Sequence, residues 1–469
     1  MRWALGVALL VAAAGCLSPS EENVLTERAA ETLGPHLGLG AAPQFTPPVV
    51  VDHVRAGGEP VIAVLLDGTL VVSGHPGYTH AHPSPTSPQG IADAVAPTVA
   101  QSYIWRSIDN GSTWSVVGQL PETPAPNRGP HGGAFGAGDP EFTYDASTGR
   151  IWFTDLAALA QGTLSWSDDG GATWTGNNLA SGGPMDRQWL ASHQGTLYFT
   201  GNYLTDRRVL VTEDGETFER RGEIPDGQGV DCGADVVADP RNGWLYAGCG
   251  DGMAVSVDEA ATWTYRPARG LAGSGGVAGS EPAVDTAGNV YLVGRTNGTI
   301  LIGATKDQGQ NWTYLNISSW FPELAEGRAM WPWISAGSEG RAAVTFMGTT
   351  EPDVNSTAAG WFLYNVIVIN ATSPSPEIYP TPVTADPMHV GPVCMSGTTC
   401  QARIALPNGD RRLGDFFETT IDRFGVLHVV YPQTTSEPGD TVSHVSYARL
   451  ASGPSLVVGP LPPGFPTQG

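Results

Sequence analysis

The chain has one lysine, Lys306, among 469 residues. Lysine and arginine together number 23 against 46 acidic residues, a formal net charge of −23. Such a surface repels phosphate backbones, so nucleic acid is excluded as a partner class. Long apolar runs are also scarce. The only one is Trp3–Ala14, and nothing later approaches the roughly 18 residues that would read as a membrane span. Cysteine is sparse as well, with five residues and no Cys-x-x-Cys spacing for zinc. What is abundant is glycine (61), proline (38) and tryptophan (14), a composition of many short strands and turns rather than long helices.

The start, MRWALGVALLVAAAGC, places Arg2 before the apolar run and Ala-Ala-Gly before Cys16. That pattern predicts a secretory signal over residues 1–16, with Cys16 in the position of a lipidated cysteine. An ordinary cleaved signal with an incidental cysteine is the alternative. Residues 17–48 are polar and acidic and read as a flexible tether, and 453–469 as a Pro/Gly-rich tail. Export places the other cysteines in an oxidising compartment, so Cys232–Cys249 and Cys394–Cys400 are expected disulfides.

A repeat organises residues 49–452. SIDNGSTW (107–114) and SDDGGATW (167–174) share Ser-x-Asp-x-Gly-x-Thr-Trp, and VTEDGETF (211–218), SVDEAATW (256–263) and TKDQGQNW (305–312) are looser copies. Their final aromatics, Trp114, Trp174, Phe218, Trp263 and Trp312, lie 60, 44, 45 and 49 residues apart. Hairpin-like alternating runs such as PEFTYDASTGRIWFTD precede the copies, and two further hairpins, PWISAGSEGRAAVTF and FFETTIDRFGVLHVVY, lack one. With a third strand before each octapeptide and a fourth after it, the pattern gives an all-β propeller of seven four-stranded blades, or six if one unit is misread. Aspartate as an acceptor of turn amides, glycine at positive φ and tryptophan as an apolar anchor explain the octapeptide without a ligand.

These octapeptides resemble the Asp boxes, or bacterial neuraminidase repeats, of sialidase-like propellers. The resemblance covers about residues 50–450 and implies a glycoside hydrolase-like protein acting on extracellular glycans or glycoproteins. The family's arginine-bearing motif at the first blade is replaced here by Gly57-Gly58-Glu59-Pro60. No arginine is set in a family motif, and no Tyr/Glu nucleophile pair is assigned. The alternative is therefore a non-catalytic glycan- or protein-binding propeller.

Blade geometry puts the octapeptides on one rim and the long connections on the other. The latter comprise 75–99, 119–138, 266–280, 316–330 and 371–414. On that second rim the strand starts offer Glu59, Asp139, Asp186, Asp235, Glu281 and Asp415. A ring of carboxylates would hold one member protonated beside ionised neighbours, as glycosidases require. The competing explanation is that each carboxylate accepts an amide at its strand start. Asp139, Asp186, Glu281 and Asp415 are the catalytic candidates. Arg187, Arg295, Arg328, Trp331 and Arg412 are the substrate-binding ones, and the tryptophans Trp320 and Trp333 could also stack on sugar rings. No cofactor is expected. Ca²⁺ is the cation such oxygens would draw, and His75, His80 and His82 read more readily as a proline-rich loop than as metal ligands.

Overall fold

In the computed structural model the described residues are 42–53, 55, 57–75, 102–117, 138–157, 161–177, 184–203, 206–225, 232–233, 235–271, 280–324, 328–394, 410–436 and 443–459. Seven antiparallel sheets succeed one another along the chain. Their innermost strands are Gly58–Val64, Glu141–Asp145, Met185–His193, Val236–Ala238, Glu281–Val284, Ala329–Ala336 and Thr419–Ile421, which define blades 1 to 7. Each inner strand contacts those of the two flanking blades, and blade 7 closes the circle against blade 1. The fold is a seven-bladed β-propeller.

Alternation explains the blades. Inner strands are buried along almost their whole length, as in Gly58–Val64 and Ala329–Ala336. The outer ones, such as Glu219–Glu223, face solvent. Aromatics fill the spaces between blades: Trp114 packs edge-on against Tyr447 of blade 7, and the Trp152 and Trp166 rings of blade 2, 5.9 Å apart, face Gly215 of blade 3.

The octapeptides form one turn, repeated. In blade 2, Asp169 accepts from Thr173 N at 2.8 Å and from its hydroxyl, Ser167 Oγ accepts from Gly171 N, and Trp174 Nε1 donates to Gly171 O. Blades 1 and 5 keep all of these bonds, the latter with Asn311 in place of threonine. In blade 4 the glycine position holds Ala260 at φ 67°, so an L-residue carries the left-handed turn there.

Three boundaries differ from the sequence reading. Gln44–Phe45, assigned to the tether, pairs with His444–Ser452, as does Val49–Val50, so the N-terminal segment supplies the outer strand of blade 7. Two-residue strands carry no periodicity, which hides them in the sequence. Leu456, assigned to the tail, is buried, and its N–H donates to Gly425 O. Residues 371–414 are not one loop: Glu377–Pro382 is the fourth strand of blade 6. Its prolines are tolerated because it is an edge strand.

Cys232 and Cys249 form a disulfide. Cys394 is disulfide-bonded too. Cys400, Cys16, His80 and His82 lie outside the described residues, as do most of 75–99 and 119–138. Among the described residues no helix is long and apolar enough to cross a membrane.

Candidate functional site at the channel mouth

Four blades open their inner strand with a non-glycine residue in the left-handed region: Glu59 (φ 48°), Asp139 (φ 46°), Arg187 (φ 53°) and Trp331 (φ 46°). In blades 1, 3 and 6 the register against the second strand breaks at this point. Each such residue costs on the order of 1–3 kcal/mol, tolerated only where surroundings fix it. Blade 7 uses Gly414 (φ 77°) instead, where a Cβ would stand 2.3 Å from Glu59 Cγ.

What fixes them is a circuit of carboxylates bonded to amides of neighbouring blades. Glu59 accepts from Asp139 N at 3.3 Å and Asp415 N at 2.9 Å, joining blade 1 to blades 2 and 7. Asp139 accepts from Arg187 N at 3.2 Å, Glu281 from Asp235 N at 3.2 Å, and Glu418 from Ile62 N at 3.3 Å. Asp155, at the end of a second strand, accepts from Ser102, Gly138 and Leu156 amides. The carboxylates at the strand starts are thus, for the most part, structural acceptors.

Two arginines are committed among them. Arg187 Nη2 reaches Asp415 Oδ2 at 2.8 Å, and its guanidinium lies 5.7 Å from the Phe416 ring. Arg411 makes two bonds to Asp415 and stands 3.8 Å from Glu59. Asp415 therefore anchors both guanidiniums rather than standing free. Burial opposes the charge on Arg187, but Asp139, Asp415 and Glu59 outweigh it and hold it firmly charged. Its Nη1 is buried without a hydrogen-bond partner. His75 donates to, or accepts from, Glu59 at 2.9 Å. Burial, then the Arg411 charge, lowers its pKa to about 3, so the ring is neutral and donates.

Asp186 differs from its neighbours because its side chain is exposed. The Asp139 carboxyl beside it favours its protonated form. Desolvation by the surrounding rim, then the Asp139 charge, raises its pKa to about 7. Burial, then Glu59, raises Asp139 to about 6. Both carboxyls are thus shifted up toward neutral pH, and of the two Asp186 is the one that meets solvent.

Of the sequence candidates, the fold brings together Asp139, Asp186, Asp415 and Arg187. Glu281 sits deeper, within reach of the Arg187 charge. It is buried with Glu141, Asp235 and Glu418, and burial comes first among the causes that raise all four. Arg412 is spent on Asp410, Arg295 on Ala329 O, and Arg328 on Pro352 O. Trp331 and Trp333 are buried. Trp333 instead meets Trp189 and Phe416, with ring centroids 5.5–6.3 Å apart, so rings from blades 3, 6 and 7 cross the axis and plug the channel. Trp320 is 45% exposed, on the link between blades 5 and 6. Arg55, three residues before Gly58, pairs with Asp52 and does not replace the missing arginine.

Sequence reasoning passed over Glu141 and Glu418. Their signal was a buried-strand glutamate set beside aromatics at the start of the inner strand, in EFTYD and FFETTI. Among the described residues no three His, Cys, Asp or Glu side chains are placed to hold a metal ion.

No protein-family model matches the chain, and no curated protein matches it. Solved structures do. A protein of unknown function from Dyadobacter fermentans is 14% identical, with 87% of this chain and 99% of that one covered and a TM-score of 0.44. The NanB sialidase of Streptococcus pneumoniae is 14% identical over 86% of this chain and 70% of its own, with a TM-score of 0.44. The endosialidase of phage phi92 is 10% identical over 89% and 70%, with a TM-score of 0.45.

Proposed function

We propose that the channel mouth acts on neutral glycans, with Asp186 as the proton donor in hydrolysis of a glycosidic bond. The observation that carries this reading is the Asp139–Asp186 pair, an exposed carboxyl kept protonated near pH 7 beside a carboxylate. Asp186 would give its proton to the leaving oxygen. The positive charge developing on the sugar ring is stabilised by carboxylates, since among the described residues Glu59, Asp139, Asp186 and Asp415 gather around Arg187 and Arg411. Water adds to the anomeric carbon, and its proton returns to the pair. Asp415 positions the two guanidiniums. Among the described residues no cluster of free arginines faces this field to receive a substrate carboxylate, which argues against sialic acid.

A second reading, non-catalytic glycan binding, is favoured by the amide bonds that occupy Glu59, Asp139, Glu281 and Glu418. Reducing-sugar release from neutral and sialylated oligosaccharides separates the two. Release from neutral substrates, lost in Asp186→Asn, supports hydrolysis. Binding without release supports the second reading, and release of sialic acid contradicts both. Export and surface anchoring at Cys16 are part of the proposal, supported by the leader-like sequence. Loss of membrane association in Cys16→Ser is the expected result, and unchanged association removes the anchor.

A further inference from the structure

A second set of acids lies inside the ring. Glu141, Asp235, Glu281 and Glu418 come from blades 2, 4, 5 and 7, and each is at most 3% exposed. Each stands at the first residue of its inner strand or one residue before it. These strands, Glu141–Asp145, Val236–Ala238, Glu281–Val284 and Thr419–Ile421, have five, three, four and three residues, against seven to nine in blades 1, 3 and 6. The acids therefore sit on the inner strands with the fewest ladder bonds to hold them. Glu281 and Glu418 each take one amide, Asp235 N at 3.2 Å and Ile62 N at 3.3 Å, and Asp235 takes Val236 N at 2.6 Å. Glu281 Oε1, Glu418 Oε1 and both Glu141 oxygens are buried with no amide, amine or hydroxyl donor.

The surrounding strands do not supply the missing charge. The Arg187 charge reaches Glu281, but that guanidinium is bonded to Asp415. Glu59, Asp139 and Asp186 belong to the mouth, and the inner strand of blade 6 carries no titratable side chain. On the second strands, Asp155 is taken by amides, Arg150 by Asp168, Arg295 by Ala329 O, and His428 by Tyr447 and Asp422. Burial keeps Tyr246, Tyr291 and Tyr431 neutral there. His193 lies at the far end of its strand, near Asp145. Burial comes first in holding all four acids above the ordinary carboxyl range, and neighbouring carboxyls add to it at Glu141, Asp235 and Glu281.

We propose that these four acids form a proton-held latch on the inner strands of blades 2, 4, 5 and 7, and that loss of the protons opens the channel while the blades stay folded. Ionisation sends the protons to solvent and leaves like charges that must be hydrated, and water enters along the shortest inner strands. The latch stands independently of the reading of Asp186. Its test follows near-UV circular dichroism, to which Trp189, Trp333 and Phe416 contribute, beside far-UV dichroism between pH 6 and pH 9. Wild type is expected to lose near-UV signal around pH 8, reversibly and with the far-UV signal kept. Glu141→Gln and Glu418→Gln, which mimic the protonated form, should hold the near-UV signal to higher pH. A wild-type signal constant to pH 9, simultaneous loss of both signals, or folded variants that follow the wild-type curve would overturn the latch. So would a Ca²⁺-induced rise in melting temperature at pH 7 that Glu141→Gln abolishes, since a cation would then hold the acids.

Discussion

Glu59 is the hub of the inter-blade circuit, and its removal is the sharpest structural perturbation available. The carboxylate is 1% exposed and accepts from three donors: Asp139 N, Asp415 N and His75 Nε2. In Glu59→Ala all three are left buried without an acceptor, at about 1–3 kcal/mol each. Water entering the vacated space beside Gly414 recovers part of this, and Asp139 loses a repulsive neighbour. The expected net loss is about 3–6 kcal/mol. Glu59→Gln keeps the shape and one acceptor oxygen, so it should cost about 1–3 kcal/mol. Urea unfolding followed by tryptophan fluorescence measures both, read as a lower midpoint at unchanged slope. A Glu59→Ala protein within about 1 kcal/mol of wild type would refute the view that this carboxylate staples three blades.

Three further outcomes follow from the same geometry. Asp139 is raised to about 6 and Glu281 and Glu418 to about 8, so the folded chain retains protons that the unfolded chain has already released. Stability is then greatest near the unfolded carboxyl range and falls as pH rises through these folded values, so thermal melts should drop from pH 5 to pH 8. A rising melt over that interval would contradict the assignment. Gly111→Ala places a Cβ 2.0 Å from the Tyr447 ring at φ 79°, and should cost about 2–5 kcal/mol in urea unfolding. Reduction of Cys232–Cys249, which closes a loop with a sequence separation of 17, should lower stability by about 3 kcal/mol, seen as a shifted melt in dithiothreitol.

Much of this fold was readable in advance because its signals are local. An octapeptide whose Asp, Gly and Trp meet within eight residues, and a hairpin with alternating burial, are short-range features that sequence displays directly. Closure of the ring was not, since Gln44–Phe45 pairs with residues some 400 positions away and offers only two residues of pattern. The site divides in the same way. Asp139 and Asp415 were found as strand-start carboxylates, and Arg187 beside Asp186. Their partnerships were hidden, because Arg187 meets Asp415 across 228 residues. Blade 5 opens without a left-handed residue, and the company Glu281 keeps was not legible in the sequence. Its side chain joins the buried Glu141, Asp235 and Glu418 group while still feeling the Arg187 charge.

In the proposed reaction Asp186, protonated beside Asp139, is the proton donor at the mouth. The pH dependence of reducing-sugar release from a neutral oligosaccharide tests it most directly. Wild-type activity should decline above about pH 7 as Asp186 loses its proton, and Asp186→Asn should show none. Undiminished release by a folded Asp186→Asn protein, or activity that increases through pH 8, would contradict it.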